Sequence, residues 1–121
     1  MAVAYVLDEH LRGPLWWAIQ RHNARGSEPI DAVRVGDADG PPFAIDDPEL
    51  LLWSEQARRI LITFDAHSLP GHLAEHLRAG HHSPGFTIRP ATHLPDLVEF
   101  LALAGLAAEP AGWQDRITYV P

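Results

Sequence analysis

The chain reads as one α/β domain, a three-layer α/β/α arrangement around a mainly parallel central sheet, and three observations carry that expectation. Two short apolar runs, Ala2-Val3-Ala4-Tyr5-Val6-Leu7 and Ile60-Leu61-Ile62-Thr63-Phe64, each end in acid, at Asp8-Glu9 and at Asp65. Continuous apolar runs of this length are the pattern of strands buried on both faces, as in parallel sheets covered by helices. Between and beyond them, helical and extended patterns alternate from the start of the chain. The acids then fall at strand C-termini, the edge where open parallel sheets bind ligands.

The elements follow in order. After the first strand, Pro14 sits in the first turn of a predicted helix over Leu15-Trp16-Trp17-Ala18-Ile19-Gln20-Arg21-His22, which stops near Arg25-Gly26-Ser27. Asp31 to Val35 is the second predicted strand, followed by a loop, Gly36-Asp37-Ala38-Asp39-Gly40-Pro41-Pro42, placed to flank the site. The acidic cluster Asp46-Asp47-Pro48-Glu49 opens the next helix, with Asp47 as the expected N-cap and Pro48 at the first helical position. Leu69, Leu73 and Leu77 recur at helical spacing, and Phe86-Thr87-Ile88 is a fourth candidate strand. Leu94, Leu97, Val98, Leu101 and Ala104 mark a long amphipathic helix with Thr92 as its candidate cap. Ile117 to Val120 supplies a final strand or a partner-facing arm.

Composition narrows the function. With 121 residues, 46% of them hydrophobic and 21% charged, residues 1–121 suffice for a single packed domain. No apolar stretch approaches the roughly 20 residues of a membrane span, and no secretory leader precedes the first strand, so a soluble cytoplasmic protein without membrane contact is expected. The absence of cysteine excludes disulfides, thiolate nucleophiles and zinc–thiolate sites. A net charge of -7 argues against a broad basic face gripping nucleic acid, although cations bound in an acidic pocket would reverse the local sign. All basic residues are Arg, the shape suited to bidentate phosphate contacts. There is no dinucleotide fingerprint, Walker loop or serine-hydrolase elbow.

Three blocks, taken together, resemble a family. Leu7-Asp8-Glu9-His10-Leu11, Asp47-Pro48-Glu49-Leu50-Leu51 and Arg59-Ile60-Leu61-Ile62-Thr63-Phe64-Asp65 are similar, in order, to the "LDEN-L", "D-x-E-[IL]-L" and "R-[IV]-L-[IV]-T-x-D" blocks of small bacterial PIN-like proteins, short relatives of the VapC-type toxins. The resemblance covers about residues 3 to 69. It implies a PIN-like domain that cleaves RNA with divalent metal, as the toxin-like member of a toxin–antitoxin pair with an antitoxin as candidate partner; a homodimer, which would gather Arg residues, is a separate candidate partner. Carried over residue by residue, it makes Asp8, Asp47 and Asp65 the metal-binding acids and Glu9 and Glu49 their catalytic accessories. One or two Mg2+ or Mn2+ ions held by such acids can activate a water and stabilise the leaving oxygen of an in-line phosphodiester displacement.

The chain departs from the family pattern at His10, where the relatives carry Asn, and at His67, where many carry an acid. Phe64 stands where some carry Arg. Imidazoles among the ligands would favour Mn2+ over Mg2+. His10, His67, Arg12 and Asp46 are accordingly candidate accessory contacts to metal or phosphate.

Other readings compete. Asp47 is explained by capping alone, and a PIN-like module with a decayed metal site would keep only a partner surface. His72-Leu73-Ala74-Glu75-His76 matches the H-x-x-E-H string of inverted zinc peptidases, a third and minor reading. His81-His82 reads as an exposed turn. Adjacent Trp16 and Trp17 cannot both face one core, so one of them is expected on a partner-facing surface.

Overall fold

A computed structural model describes residues 3–11, 13–26, 29–63, 68–82, 85–88, 94–107, 115 and 117–120, with backbone alone at 10, 85–88, 105–107 and 117–120. The predicted alternation is present. Strands β1 (Ala4–Leu7), β2 (Asp31–Arg34), β3 (Ile60–Thr63), β4 (Gly85–Ile88) and β5 (Ile117–Val120) alternate with helices α1 (Pro14–Ala24), α2 (Asp47–Ala57), α3 (Leu69–Arg78) and α4 (Leu94–Ala107). All five strands are parallel, in the order β2-β1-β3-β4-β5. Thr92 and Phe64 lie outside the described residues.

Alternation of side chains along the strands divides the core into two layers. Tyr5, Leu7, Ile60 and Ile62 point to one face and pack with Leu15 and Ile19 of α1 and Leu97, Val98 and Leu101 of α4. Val6, Val33 and Leu61 point to the other and pack with Leu50 and Leu51 of α2 and Leu69 of α3. The domain is therefore three-layered, and β1 and β3 are buried from both sides, as their unbroken apolar sequence requires. No helix among the described residues is long and apolar enough to cross a membrane.

The connections do not all turn the same way. The β1–α1–β2 step crosses the first face in one direction, while β2–α2–β3 and β3–α3–β4 cross the second face in the opposite direction, so these three share one hand. The β4–α4–β5 step moves across the sheet as the previous two do, yet α4 lies on the first face. Its hand is reversed, against the strong preference for a single handedness in such crossovers. Burial gives the reason: α1 alone leaves the first face of β1 and β3 open, and the apolar α4 closes it. The Tyr5 hydroxyl, buried beneath α4, donates to the Leu101 carbonyl at 2.8 Å, and burial raises its pKa.

Local signals set the helix ends. Asp46, not Asp47, is the N-cap of α2: its backbone is extended and its Oδ1 accepts from the Glu49 N–H at 2.9 Å. Both aspartates are good caps by type, and the register is decided by which carboxylate reaches the third helical amide. Asp46→Ala is expected to lower stability by about 0.5–2 kcal/mol in chemical denaturation, the usual loss of a side-chain cap. In the loop after β2, Gly36 takes φ 93° with the Phe43 ring packed where a Cβ would stand, so the turn needs glycine there.

Candidate functional site

The strand order reverses between β1 and β3. From β1 the chain moves outward to β2, and from β3 it moves to β4, so the connections leaving their C-terminal ends part in opposite directions at the place where parallel sheets take ligands. Asp8, Asp47, Leu50, Leu61, Thr63 and Leu69 line a crevice there. Two of the three predicted metal acids, from separate elements, thus line one crevice, together with Leu61 and Thr63 of the third block. Asp65 itself lies outside the described residues, as do His67 and Arg12, while His10 is placed only by its backbone in the 3-10 turn Glu9–Leu11.

Asp8 is held in position. Its amide continues the sheet by donating to the Ile62 carbonyl at 3.0 Å. Its Oδ2 accepts from the Thr63 hydroxyl at 2.9 Å and its Oδ1 from the Glu9 N–H at 2.6 Å. Thr63 is only 3% exposed, so its hydroxyl is a buried polar group with a defined task. Each carboxylate oxygen has lone-pair capacity beyond these single bonds. Asp47, at the first position of α2, faces His72 of α3, with Oδ2 3.3 Å from Nε2. The donor set of the crevice is therefore carboxylate oxygen, suited to hard divalent cations, with one imidazole beside it.

The other predicted accessories do different work. Glu9 Oε1 accepts from the Ala44 N–H at 3.0 Å and fastens the loop between β2 and α2 beside the end of β1. Asp46 is committed to its cap, and Glu49 is an exposed acid in the first turn of α2. Arg59, which opens the third block, lies at the opposite end of the sheet, where its Nη1 donates to the Tyr5 carbonyl at 3.1 Å and to Asp31 at 2.8 Å.

Sequence reasoning named Thr63 and His72 in other patterns but did not bring them to Asp8 and Asp47. A Thr closing an otherwise apolar strand was the available signal for the first. For the second, α2 and α3 follow successive parallel strands and so run alongside each other, which brings their first turns together. Thr63→Val, close in shape but without the hydroxyl, is expected to keep the fold and, for the divalent ion proposed below at Asp8, to weaken binding by about 10–100-fold, as loss of an outer-shell partner typically does. Titration with Mn2+ checks this.

The H-x-x-E-H string is divided by the fold. His72 meets Asp47, Glu75 pairs with Arg78, and His76 turns to Glu55 in the last turn of α2. His81, expected in an exposed turn, instead joins His76: the rings stack with centroids 4.8 Å apart, and His81 Nδ1 lies 3.3 Å from Glu55 Oε2. Glu55 Oε1 lies 3.0 Å from His76 Nε2 and also accepts from the His82 N–H. One ligand atom from each of Glu55, His76 and His81 lies within 4.8 Å of the others, a group that could hold a metal ion. Burial pulls the Glu55 pKa upward, but the hydrogen bonds from His82, His81 and His76 outweigh it and hold the carboxyl below its ordinary range.

Of the paired tryptophans, Trp16 packs half-buried beneath the Arg34 guanidinium, 4.2 Å from its ring centroid, and Trp17 is 57% exposed. No protein-family model, curated protein or solved structure matches the chain.

Proposed function

We propose that the chain is a divalent-metal-dependent endoribonuclease of PIN-like kind, acting as a toxin-like component with Asp8, Asp47 and Asp65 as its metal-binding acids. The observation that carries this reading is the meeting of Asp8 and Asp47 in one crevice at the switch point of the sheet, while the capping role is taken by Asp46. Capping alone therefore does not account for Asp47. A bound Mg2+ or Mn2+ would supply an activated water and neutralise charge on the scissile phosphate. The chain's own part is to present the carboxylates, with Thr63 orienting Asp8 and His72 standing beside Asp47. The exposed Trp17 supports a partner surface for an antitoxin or a second copy, since aromatic residues commonly anchor interfaces.

A second reading, a noncatalytic PIN-like binding module, is favoured by one observation: both oxygens of Asp8 and one of Asp47 already have protein partners. The test is cleavage of single-stranded RNA by the purified chain with Mg2+ or Mn2+, against the chelated protein and the Asp8→Asn, Asp65→Asn double variant. Metal-dependent cleavage lost in the variant supports the nuclease. No cleavage and no metal in the crevice, with partner binding retained by the variant, leaves the binding module.

A further inference from the structure

We propose that Glu55, His76 and His81 form a second metal site, for a borderline transition-metal cation of the Zn2+ kind, fastening the last turn of α2 to the turn between α3 and β4. The site is separate from the acidic crevice and does not depend on how that crevice is read. Glu55 lies eight residues beyond Asp47 on α2, about 12 Å along the axis at 1.5 Å per residue.

Donor chemistry selects the class of ion. Two imidazole nitrogens and one carboxylate oxygen are a three-ligand set suited to Zn2+, with the fourth position left to water, whereas Mg2+ prefers oxygen alone. A tetrahedral ion with bonds of about 2.0–2.1 Å sets neighbouring donor atoms about 3.3 Å apart. His76 Nε2 lies 3.0 Å from Glu55 Oε1 and His81 Nδ1 lies 3.3 Å from Oε2, while one donor atom from each residue lies within 4.8 Å of the others, so a small rotation of the side chains brings the set to that spacing. Ring stacking keeps the two imidazoles together, and His76, only 7% exposed, is fixed by its place on α3. The His82 N–H on Glu55 Oε1 orients the carboxylate from behind, as outer-shell donors do in metal centres.

Position adds an electrostatic reason. Glu55 sits in the last turn of α2, where the helix dipole disfavours a carboxylate, and that turn carries no basic residue. His76 and the C-cap Ala79 mark the C-terminal end of α3. The last turn of α3 carries His76 and Arg78, so the unfavourably placed charge is the Glu55 carboxylate at the end of α2, and a divalent cation shared with His76 and His81 offsets it.

The experiment uses the whole chain and Zn2+ alone, titrated by calorimetry, with Co2+ absorption reporting tetrahedral nitrogen and oxygen ligation. One equivalent is expected to bind, to raise Tm and to persist in the Asp8→Asn, Asp47→Asn variant and in excess Mg2+. Glu55→Gln and His81→Ala are expected to weaken it by more than the about 10–100-fold typical of an outer-shell loss. His81 is partly exposed, so His81→Ala keeps the test valid if a substitution at buried His76 unfolds the chain. Absence of saturable Zn2+ binding, wild-type affinity in both Glu55→Gln and His81→Ala, or loss of the ion in the crevice variant would each overturn the proposal.

Discussion

Asp47→Asn is expected to lose RNA cleavage by about two orders of magnitude or more, while its neighbour Asp46→Asn keeps both activity and stability. The contrast comes from what each carboxylate does. Asp46 accepts one hydrogen bond from the Glu49 amide, and Asn caps helices about as well as Asp. Asp47 lines the crevice with Asp8, where the proposed divalent ion would need a negative oxygen and a neutral amide supplies no charge. Removing a single preorganised electrostatic group from a reaction centre commonly costs about 10²–10³ in rate. Single-turnover RNA cleavage in Mn2+, beside far-UV circular dichroism and Tm, checks both variants. Equal activity in the two would remove Asp47 from the centre.

The second large effect is on stability. Ile62→Ala is expected to cost about 2–5 kcal/mol, the range for deleting a large aliphatic side chain from a packed core. Ile62 is fully buried on β3, between β1 and β4, and its side chain packs in the layer with Tyr5, Leu7, Leu97 and Leu101. Three carbons leave, each worth about 0.8 kcal/mol of transfer free energy, and a sheet held from both faces has little freedom to collapse into the gap. Against a total stability of about 5–15 kcal/mol, that is a large fraction. By contrast Leu103, 51% exposed on α4, is expected to change stability by no more than about 0.5 kcal/mol on substitution by Ala. Urea denaturation of the two variants checks the pair, and a loss below about 1 kcal/mol for Ile62→Ala would contradict the two-layer core.

Much of this architecture was legible because strands buried on both faces advertise themselves. Val6, Leu7, Leu61 and Ile62 have no polar alternation to confuse with a surface strand, and the acids that follow mark the sheet edge. The start of α2 was legible only to within one residue, since Asp46 and Asp47 are chemically equivalent caps and only the fold shows which one reaches Glu49 N–H. Glu55 was not legible at all. Its partners lie 21 and 26 positions away, on the next helix and the turn beyond it, and the H-x-x-E-H string drew attention to residues that the fold sends to different acids. The reversed hand of the last crossover was equally hidden. Periodicity says that α4 has an apolar side but not which sheet face it covers.

That crossover bears on how the molecule is made. Tyr5 and Leu101, joined by a hydrogen bond, are 96 positions apart, so one face of the sheet waits for α4, the last of the described helices. Among the described residues, the helices packed on the other face, α2 and α3, are complete once α3 ends at Arg78. At translation speeds of about 5–20 residues per second, a nascent chain would spend about 1–5 s with one side closed and the side bearing Tyr5, Leu7, Ile60 and Ile62 awaiting α4. During that interval, the surface meant for α4 is the one most open to a chaperone or to another nascent chain.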